Sequence, residues 1–337
     1  MGLTQRIWYG GSPLKWLLWP VSLIFRLVSF LRRAAYRKGL LSRYRSSVPV
    51  IVVGNISVGG NGKTPLVIFL VQRLRELGFR PGVVSRGYGG HAPSYPCLLD
   101  PDTLPAVSGD EPFLIHARLG CPVVVDPVRS RGVQLLERQG VDVIVSDDGL
   151  QHYALDRDIE LVVTDGTRRF GNGEVLPMGP LREGLWRRLE CDAVICNGGT
   201  PASGELAMDV IPGTPVRVSD PGTPLEGRPA VAALAGIGNP EKFFSLLERM
   251  GFTVERKIRL PDHAAPGAAG IARILGDWQG VVMMTEKDAV KCRQDAPDNW
   301  YFLPVDARVD PALMDLIRQR LEALQKGRTR DPGDSGS

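Results

Sequence analysis

The chain has 337 residues, 43% of them hydrophobic and 23% charged, with a formal net charge of +4. This is the make-up of an ordinary soluble protein with a core of normal size. Five cysteines, without a CxxC pair, point to reduced thiols in a cytosolic setting rather than disulfides or structural zinc, and at ~150 residues per domain the length suggests about two domains.

The charge is unevenly placed. Residues 1–47 hold nine Lys/Arg and no acid, and the first carboxylate is Glu76. A basic arm on a slightly acidic body selects an anionic surface, membrane or nucleic acid. Residues 14–38 read LKWLLWPVSLIFRLVSFLRRAAYRK, with an apolar run from Trp16 to Phe25, too short for a span of ~20 residues. Ser22, Arg26, Ser29, Arg33 and Arg37 recur at helical spacing as one polar stripe, expected to face water. Leu23, Leu27, Phe30 and Ala34 lie beside it, and Ile24, Val28 and Leu31 extend the apolar side. The pattern is that of an amphipathic helix lying in a membrane interface. Arg26 and the arginines after it argue against a signal peptide, and the many aliphatics argue against a nucleic-acid arm. A helix packed as core of the main domain is the remaining alternative.

Next, an apolar β-branched run, Val50 to Val53, enters a loop with Gly54, Gly59, Gly60 and Gly62. Lys63 and Thr64 follow, then a helix-period stretch to Gly78. Strand, glycine loop, Lys-Thr and helix is the layout of a phosphate-binding P-loop, although Ser57 stands where the strict pattern has its first glycine. The amides of Ser57, Val58, Gly59, Gly60, Asn61 and Gly62 are expected to line the phosphates. Lys63 would reach the β- and γ-phosphates, and the Thr64 hydroxyl would ligate Mg²⁺. A glycine-rich turn that binds nothing is the bland alternative.

A strand from Gly82 to Ser85 runs into Arg86-Gly87-Tyr88, where Arg86 is either a phosphate ligand or a surface arginine. Ser108-Gly109-Asp110-Glu111-Pro112 opens a helix, with Ser108 or Asp110 as N-cap or an acid placed as general base. The strand Cys121 to Val125 ends at Asp126, near Arg129 and Arg131, where ligands gather in parallel α/β sheets. Val141 to Asp148, VDVIVSDD, resembles a Walker B strand ending in two carboxylates, Asp147 and Asp148, one of which would meet Mg²⁺. His152 reads first as a hydrogen-bonded structural histidine. Strands are expected at Ile159 to Thr164 and Asp192 to Cys196. Residues 168–184 between them, RRFGNGEVLPMGPLREG, are too long for an ordinary turn and read as a functional loop.

These alternations predict an α/β fold: a P-loop NTPase-like parallel sheet with helices on both faces at 48–206, and a smaller α/β domain at 230–326. A Pro/Gly-rich hairpin linker is expected at 207–229 and a disordered tail at 327–337. In the second domain Asn239, Pro240 and Gly251 punctuate a helix. Glu241 breaks a GxGxxG reading, and Thr285-Glu286-Lys287-Asp288 fits a helix cap before it fits a ligand site.

Taken together, GNISVGGNGKTP (54–65), SRGYGG (85–90), SGDEP (108–112), SDDGLQH (146–152), RRFGNGEVLPMGPLRE (168–183), AGIGNP (235–240), PDH (261–263) and TEKDAVK (285–291) resemble the tetraacyldisaccharide 4′-kinase family, the lipid A 4′-kinases. That family's glycine loop also lacks the strict first glycine. The resemblance implies transfer of the ATP γ-phosphate to the 4′-hydroxyl of a tetraacylated glucosamine disaccharide 1-phosphate. It also implies a peripheral protein, expected to be monomeric, on the cytoplasmic face of the bacterial inner membrane. Lys63 and Thr64 then match the phosphate and Mg²⁺ residues, and Asp147 and Asp148 the acidic pair. Asp110 matches the acid that activates the sugar hydroxyl, helped by His263. Arg129, Glu183 and His152 match positions near the site. Two rivals are a soluble-acceptor P-loop kinase and a GTPase-like switch, the latter lacking an NKxD motif.

Overall fold

Two sheets grow from the apolar runs. The computed structural model describes residues 3–261 and 266–329. A short helix α1 (Leu3–Tyr9) and a 3-10 turn (Pro13–Leu18) lead into α2 (Trp19–Arg37). The body then alternates: β1 (Val50–Gly54), α3 (Lys63–Glu76), β2 (Pro81–Ser85), β3 (Cys97–Leu98), α4 (Pro105–Ser108), α5 (Asp110–Leu119), β4 (Val123–Val125), α6 (Arg129–Arg138), β5 (Val143–Asp147), β6 (Ile159–Asp165), β7 (Ala193–Asn197) and β8 (Glu205–Pro212). The smaller unit holds β9 (Val216–Arg217), β10 (Val231–Ala235), α7 (Pro240–Arg249), β11 (Val254–Arg259), α8 (Gly267–Leu275), β12 (Val281–Thr285), α9 (Glu286–Ala289) and β13 (Trp300–Leu303). The chain returns through β14 (Val305–Val309) and α10 (Ala312–Thr329).

The large sheet has nine strands in the order β14-β8-β7-β6-β1-β5-β2-β4-β3. All neighbours from β8 to β4 are parallel, and the two edge strands are antiparallel. Strand β1 is central, between β6 and β5, so the loop after it opens where the winding reverses, as ligand loops do in such sheets. Alternation along β1 explains the two layers. Ile51 and Val53 pack with Leu66, Leu70 and Ile115 of α3 and α5, while Val50 and Val52 pack with Val133 and Leu136 of α6. The second sheet, β11-β10-β12-β13-β9, is covered by α8 through Ile271 and Leu275 and by α7 through Phe243, Phe244 and Leu247.

Long-range pairing moves the expected domain limits. Residues 207–211 and 216–218 do not form a hairpin: β8 pairs with β7 and β14, and β9 pairs with β13. Residues 305–326, assigned from sequence to the smaller domain, return to the large sheet, where Leu313, Ile317 and Leu321 of α10 join its core. Helix α10 runs through Thr329, so residues 327–329 are helical rather than tail; the remainder of the expected tail lies outside the described residues. The two crossings between units run side by side, joined by a 2.9 Å bond from the Gly213 amide to the Pro304 carbonyl.

The arm is helical as expected, but its faces are reversed. The polar stripe of α2 docks on the protein. Ser22, 4% exposed, donates to the Val175 carbonyl at 3.1 Å and accepts from the Met178 amide at 2.8 Å. Arg26 pairs with Glu174, and Arg33 and Arg37 with Glu190. Leu17, Ile24, Leu27, Val28, Phe30 and Leu31 point outward. The body offers carboxylates and loop carbonyls to this helix rather than an apolar groove, so the stripe finds its partners there. Packing as core is therefore excluded, because nearly all of the apolar stretch within Pro13–Arg37 lies at the surface; and the segment, read from sequence as too short for a span, is by length and composition long and apolar enough to cross a membrane.

Ser22→Leu makes α2 more uniformly apolar but removes both bonds to residues 175–178. Trypsin is expected to cut at the α2 arginines at least fivefold faster in this variant; an unchanged cleavage rate would show that the stripe does not hold the helix.

Candidate active site

One glycine fixes the shape of the loop after β1. Gly62 has φ +90°, and a Cβ there would lie 2.2 Å from Asn197 Nδ2, so only glycine fits. This lets Lys63 begin α3 with the helix N-terminus facing the loop. Asn61 donates to Ser57 Oγ at 2.9 Å, Asn197 donates to the Asn61 carbonyl at 3.0 Å, and Asn55 to the Gly59 carbonyl at 3.3 Å. Residues 168–184 brace the loop from outside. The Val58 amide donates to the Pro180 carbonyl at 2.8 Å, and the Arg182 amide to the Ile56 carbonyl at 2.6 Å; Ser57 and Leu181 form a bridge.

The two carboxylates after β5 differ sharply. Asp147 is 1% exposed. Its Oδ2 accepts from Ser85 at 3.2 Å, while its Oδ1 is buried without a partner. Burial, then the charges of Glu111 and Asp148, raise its carboxyl well above the usual range. Asp148 sits at φ +47°, which turns its side chain toward cations: Lys63 Nζ at 3.6 Å and Arg182 at 3.1 Å. Burial opposes its ionisation, but Lys63 and Arg182 more than offset this and hold its pKa low. Among the described residues no three His, Cys, Asp or Glu side chains gather as a metal cluster. The orphaned Asp147 oxygen, Asp148 and the Thr64 hydroxyl nevertheless line the same cleft as hard-oxygen donors. Such a set suits Mg²⁺ when phosphate and water oxygens complete the shell.

Lys63, Thr64, Asp147, Asp148, Arg182 and Glu183 line one cleft of about 1750 Å³, whose other walls come from α2, α7 and α9. Arg86 and Arg129 line it too. Arg129, expected beside the phosphates, lies 5% exposed and donates to the carbonyls of Asp147 and Asp148 at 3.0 and 2.7 Å, holding the acidic turn. Glu183 accepts from Gln151 at 2.9 Å and from Tyr153. Asp110 begins α5 beside Glu111 and Pro112, which line the cleft. Its carboxylate is 3.1 Å from Lys291 of the smaller unit. His263 lies outside the described residues.

Several expectations change. Neither Ser108 nor Asp110 caps α5, because Gly109 occupies that position and no side chain bonds there. Asp126 and Arg131 satisfy each other at 2.7 Å, and the Val128 amide completes a local turn, so they stay outside the cleft lining. His152 is not a hydrogen-bonded structural histidine at Nε2, which is buried without a partner. Burial and the arginines around it, Arg129 first, push its pKa down to about 4. Asn239 precedes α7 without a side-chain cap bond, whereas Thr285 does cap α9, accepting from the Asp288 amide. Arg182, Gln151 and Asn197 were missed. Arg182 sits in the loop flagged by its length, but nothing local marks its partner.

A family model described as tetraacyldisaccharide-1-P 4′-kinase matches residues 14–322. The chain is 54% identical over 324 residues to the tetraacyldisaccharide 4′-kinase of Aeromonas salmonicida, covering 96% of this chain and 97% of that protein. It is 53% identical over 330 residues to the enzyme of the same name from Aeromonas hydrophila, covering 96% and 98%. A crystal structure of LpxK from Aquifex aeolicus in complex with ATP superposes with a TM-score of 0.75 at 26% identity, over 91% of this chain and 99% of that one.

Proposed function

The chain belongs to the tetraacyldisaccharide 4′-kinase family, the ATP-dependent kinases of lipid A biosynthesis, and we propose how its own residues carry out that transfer at a membrane surface. The observation that carries the reading is the meeting of Lys63, Asp147, Asp148 and Arg182 in one cleft beside a glycine loop built for phosphate.

In phosphoryl transfer the protein mainly positions groups and offsets charge. The amides of residues 57–62 and the α3 N-terminus hold the phosphates of ATP, and Lys63 swings from Asp148 toward the γ-phosphate oxygens. Thr64, Asp147 and Asp148 would hold Mg²⁺, which when bound neutralises charge on the β- and γ-phosphates. Arg129 keeps the acidic turn in place, and Arg182 balances Asp148. Asp110 accepts the proton of the 4′-hydroxyl. A carboxylate suffices for this because a loose transition state needs little early proton removal. The family resemblance gives His263 a part in this proton transfer, and the meeting of the two units at Asp110 and Lys291 shields the site from water.

The outward face of α2 explains how a soluble fold reaches an acylated sugar. Its exposed Leu, Ile, Val and Phe side chains lie along one helix, as apolar side chains do at a membrane-interaction site. Phe25 and Val28 of the same helix line the cleft, so acyl chains can stay in lipid while the sugar enters. Because the polar stripe is tied to the body, α2 lies along the interface rather than across the bilayer. This fits a peripheral protein on the cytoplasmic face of the inner membrane, with the acylated disaccharide and the anionic surface as its partners.

Asp110→Ala and His263→Ala are each expected to lower kcat at least tenfold while leaving ATP affinity nearly intact; loss of ATP binding in either variant would refute the role. Placing Asp at both Ile24 and Leu31 should cut sedimentation with anionic vesicles and raise KM for the lipid at least fivefold, with KM for ATP unchanged. Undiminished sedimentation would sink the membrane assignment.

A further inference from the structure

Residues 285–291 do more than cap a short helix. Asp288, 1% exposed, accepts from the Gly236 amide at 2.8 Å and from Thr285 Oγ1 at 2.6 Å through Oδ2. Its Oδ1 takes Lys291 Nζ at 3.3 Å. The same ammonium lies 3.1 Å from Asp110 Oδ2, on a side chain only 4% exposed. One buried cation thus joins two carboxylates from different units. Asp288 is anchored to the ends of β10 and β12; Lys291 is anchored by Asp288; Asp110 is held by Lys291.

We propose that Lys291 is a positioning residue for phosphoryl transfer: it fixes the Asp110 carboxylate from the smaller unit, so that the acid is set in place only when the two units are together. The proposal rests on the reading of Asp110 as the base. Two further pairs line the same seam between α5 and α9. Lys287 lies 3.4 Å from Glu111, and Arg118 lies 3.4 Å from Glu286 and donates to the Val305 carbonyl at 2.7 Å. Those pairs hold the units together at the rim, whereas the Lys291 pair ends on Asp110. A buried ammonium of this kind contributes more to fixing one geometry than to net stability, since desolvation offsets much of its attraction. A flexible four-carbon stem lets it follow the carboxylate as substrate arrives.

Lys291→Met and Lys291→Gln, the second retaining a donor in case the first does not fold, are compared in the full-length enzyme with wild type and with Asp110→Asn. Both Lys291 variants should lower kcat at least tenfold with KM for ATP within twofold. In the Asp110→Asn background the same substitutions should change kcat less than twofold, because Lys291 acts through that carboxylate. Equal losses in both backgrounds, or weakened ATP binding, would overturn the proposal and leave a structural seam. Asp110→Asn turning over as fast as wild type would overturn the base assignment itself. An impaired Asp110→Asn beside an unimpaired Lys291→Gln would overturn only the role of Lys291.

Discussion

Two main-chain hydrogen bonds, Val58 to Pro180 and Arg182 to Ile56, tie the phosphate loop to residues 168–184, and most of the site depends on them. A glycine-rich loop has little stiffness of its own, because glycine gives up more backbone freedom on ordering than any other residue. The second segment supplies that stiffness. It also delivers Arg182 to Asp148 and Glu183 to Gln151 and Tyr153. Its outer edge receives the arm: Trp8 donates to the Pro177 carbonyl at 3.0 Å, and Ser22 bonds Val175 and Met178. The helix proposed to meet lipid and the loop proposed to hold ATP are thus separated by one strut, with bonds on both sides.

The electrostatics follow from where each charge is buried. Asp147, sealed beneath the loop with one oxygen unpartnered, is pushed toward the protonated form, while Asp148 beside it is held ionised by Lys63 and Arg182. Adjacent acids in the same turn behave differently because one faces the core and the other faces cations. On the opposite side, Asp110 draws its countercharge from the smaller unit. The orphaned Asp147 oxygen and Asp148 are the donors proposed to hold Mg²⁺. The unpaired oxygen would otherwise be a penalty with no return.

What could be read in the sequence was what is local. Glycines followed by Lys63 and Thr64, a β-branched run ending in Asp147 and Asp148, and a Thr285 cap each state their structure within a dozen residues, and the parallel α/β architecture follows from their alternation. What escaped was pairing between distant segments. Periodicity showed that α2 has two unlike faces but not which one meets protein; carboxylates at Glu174 and Glu190 decide that. The return of β14 and α10 to the large sheet could not be seen either, since a strand's period does not name its neighbour. Nor could the reach of Lys291 to Asp110 across 181 positions of sequence. The resemblance to a kinase family identified the chemistry, while the fold supplied the supports on which that chemistry rests.

The central claim is that Lys63, gripping the terminal phosphates of ATP after the first strand, drives transfer to the 4′-position of an acylated disaccharide. The most direct measurement follows label from γ-labelled ATP into a tetraacyl disaccharide 1-phosphate presented in vesicles, for wild type and Lys63→Ala at equal concentration. The account predicts a bis-phosphorylated lipid with the wild type and a rate at least a hundredfold lower with the variant. Equal rates would contradict it.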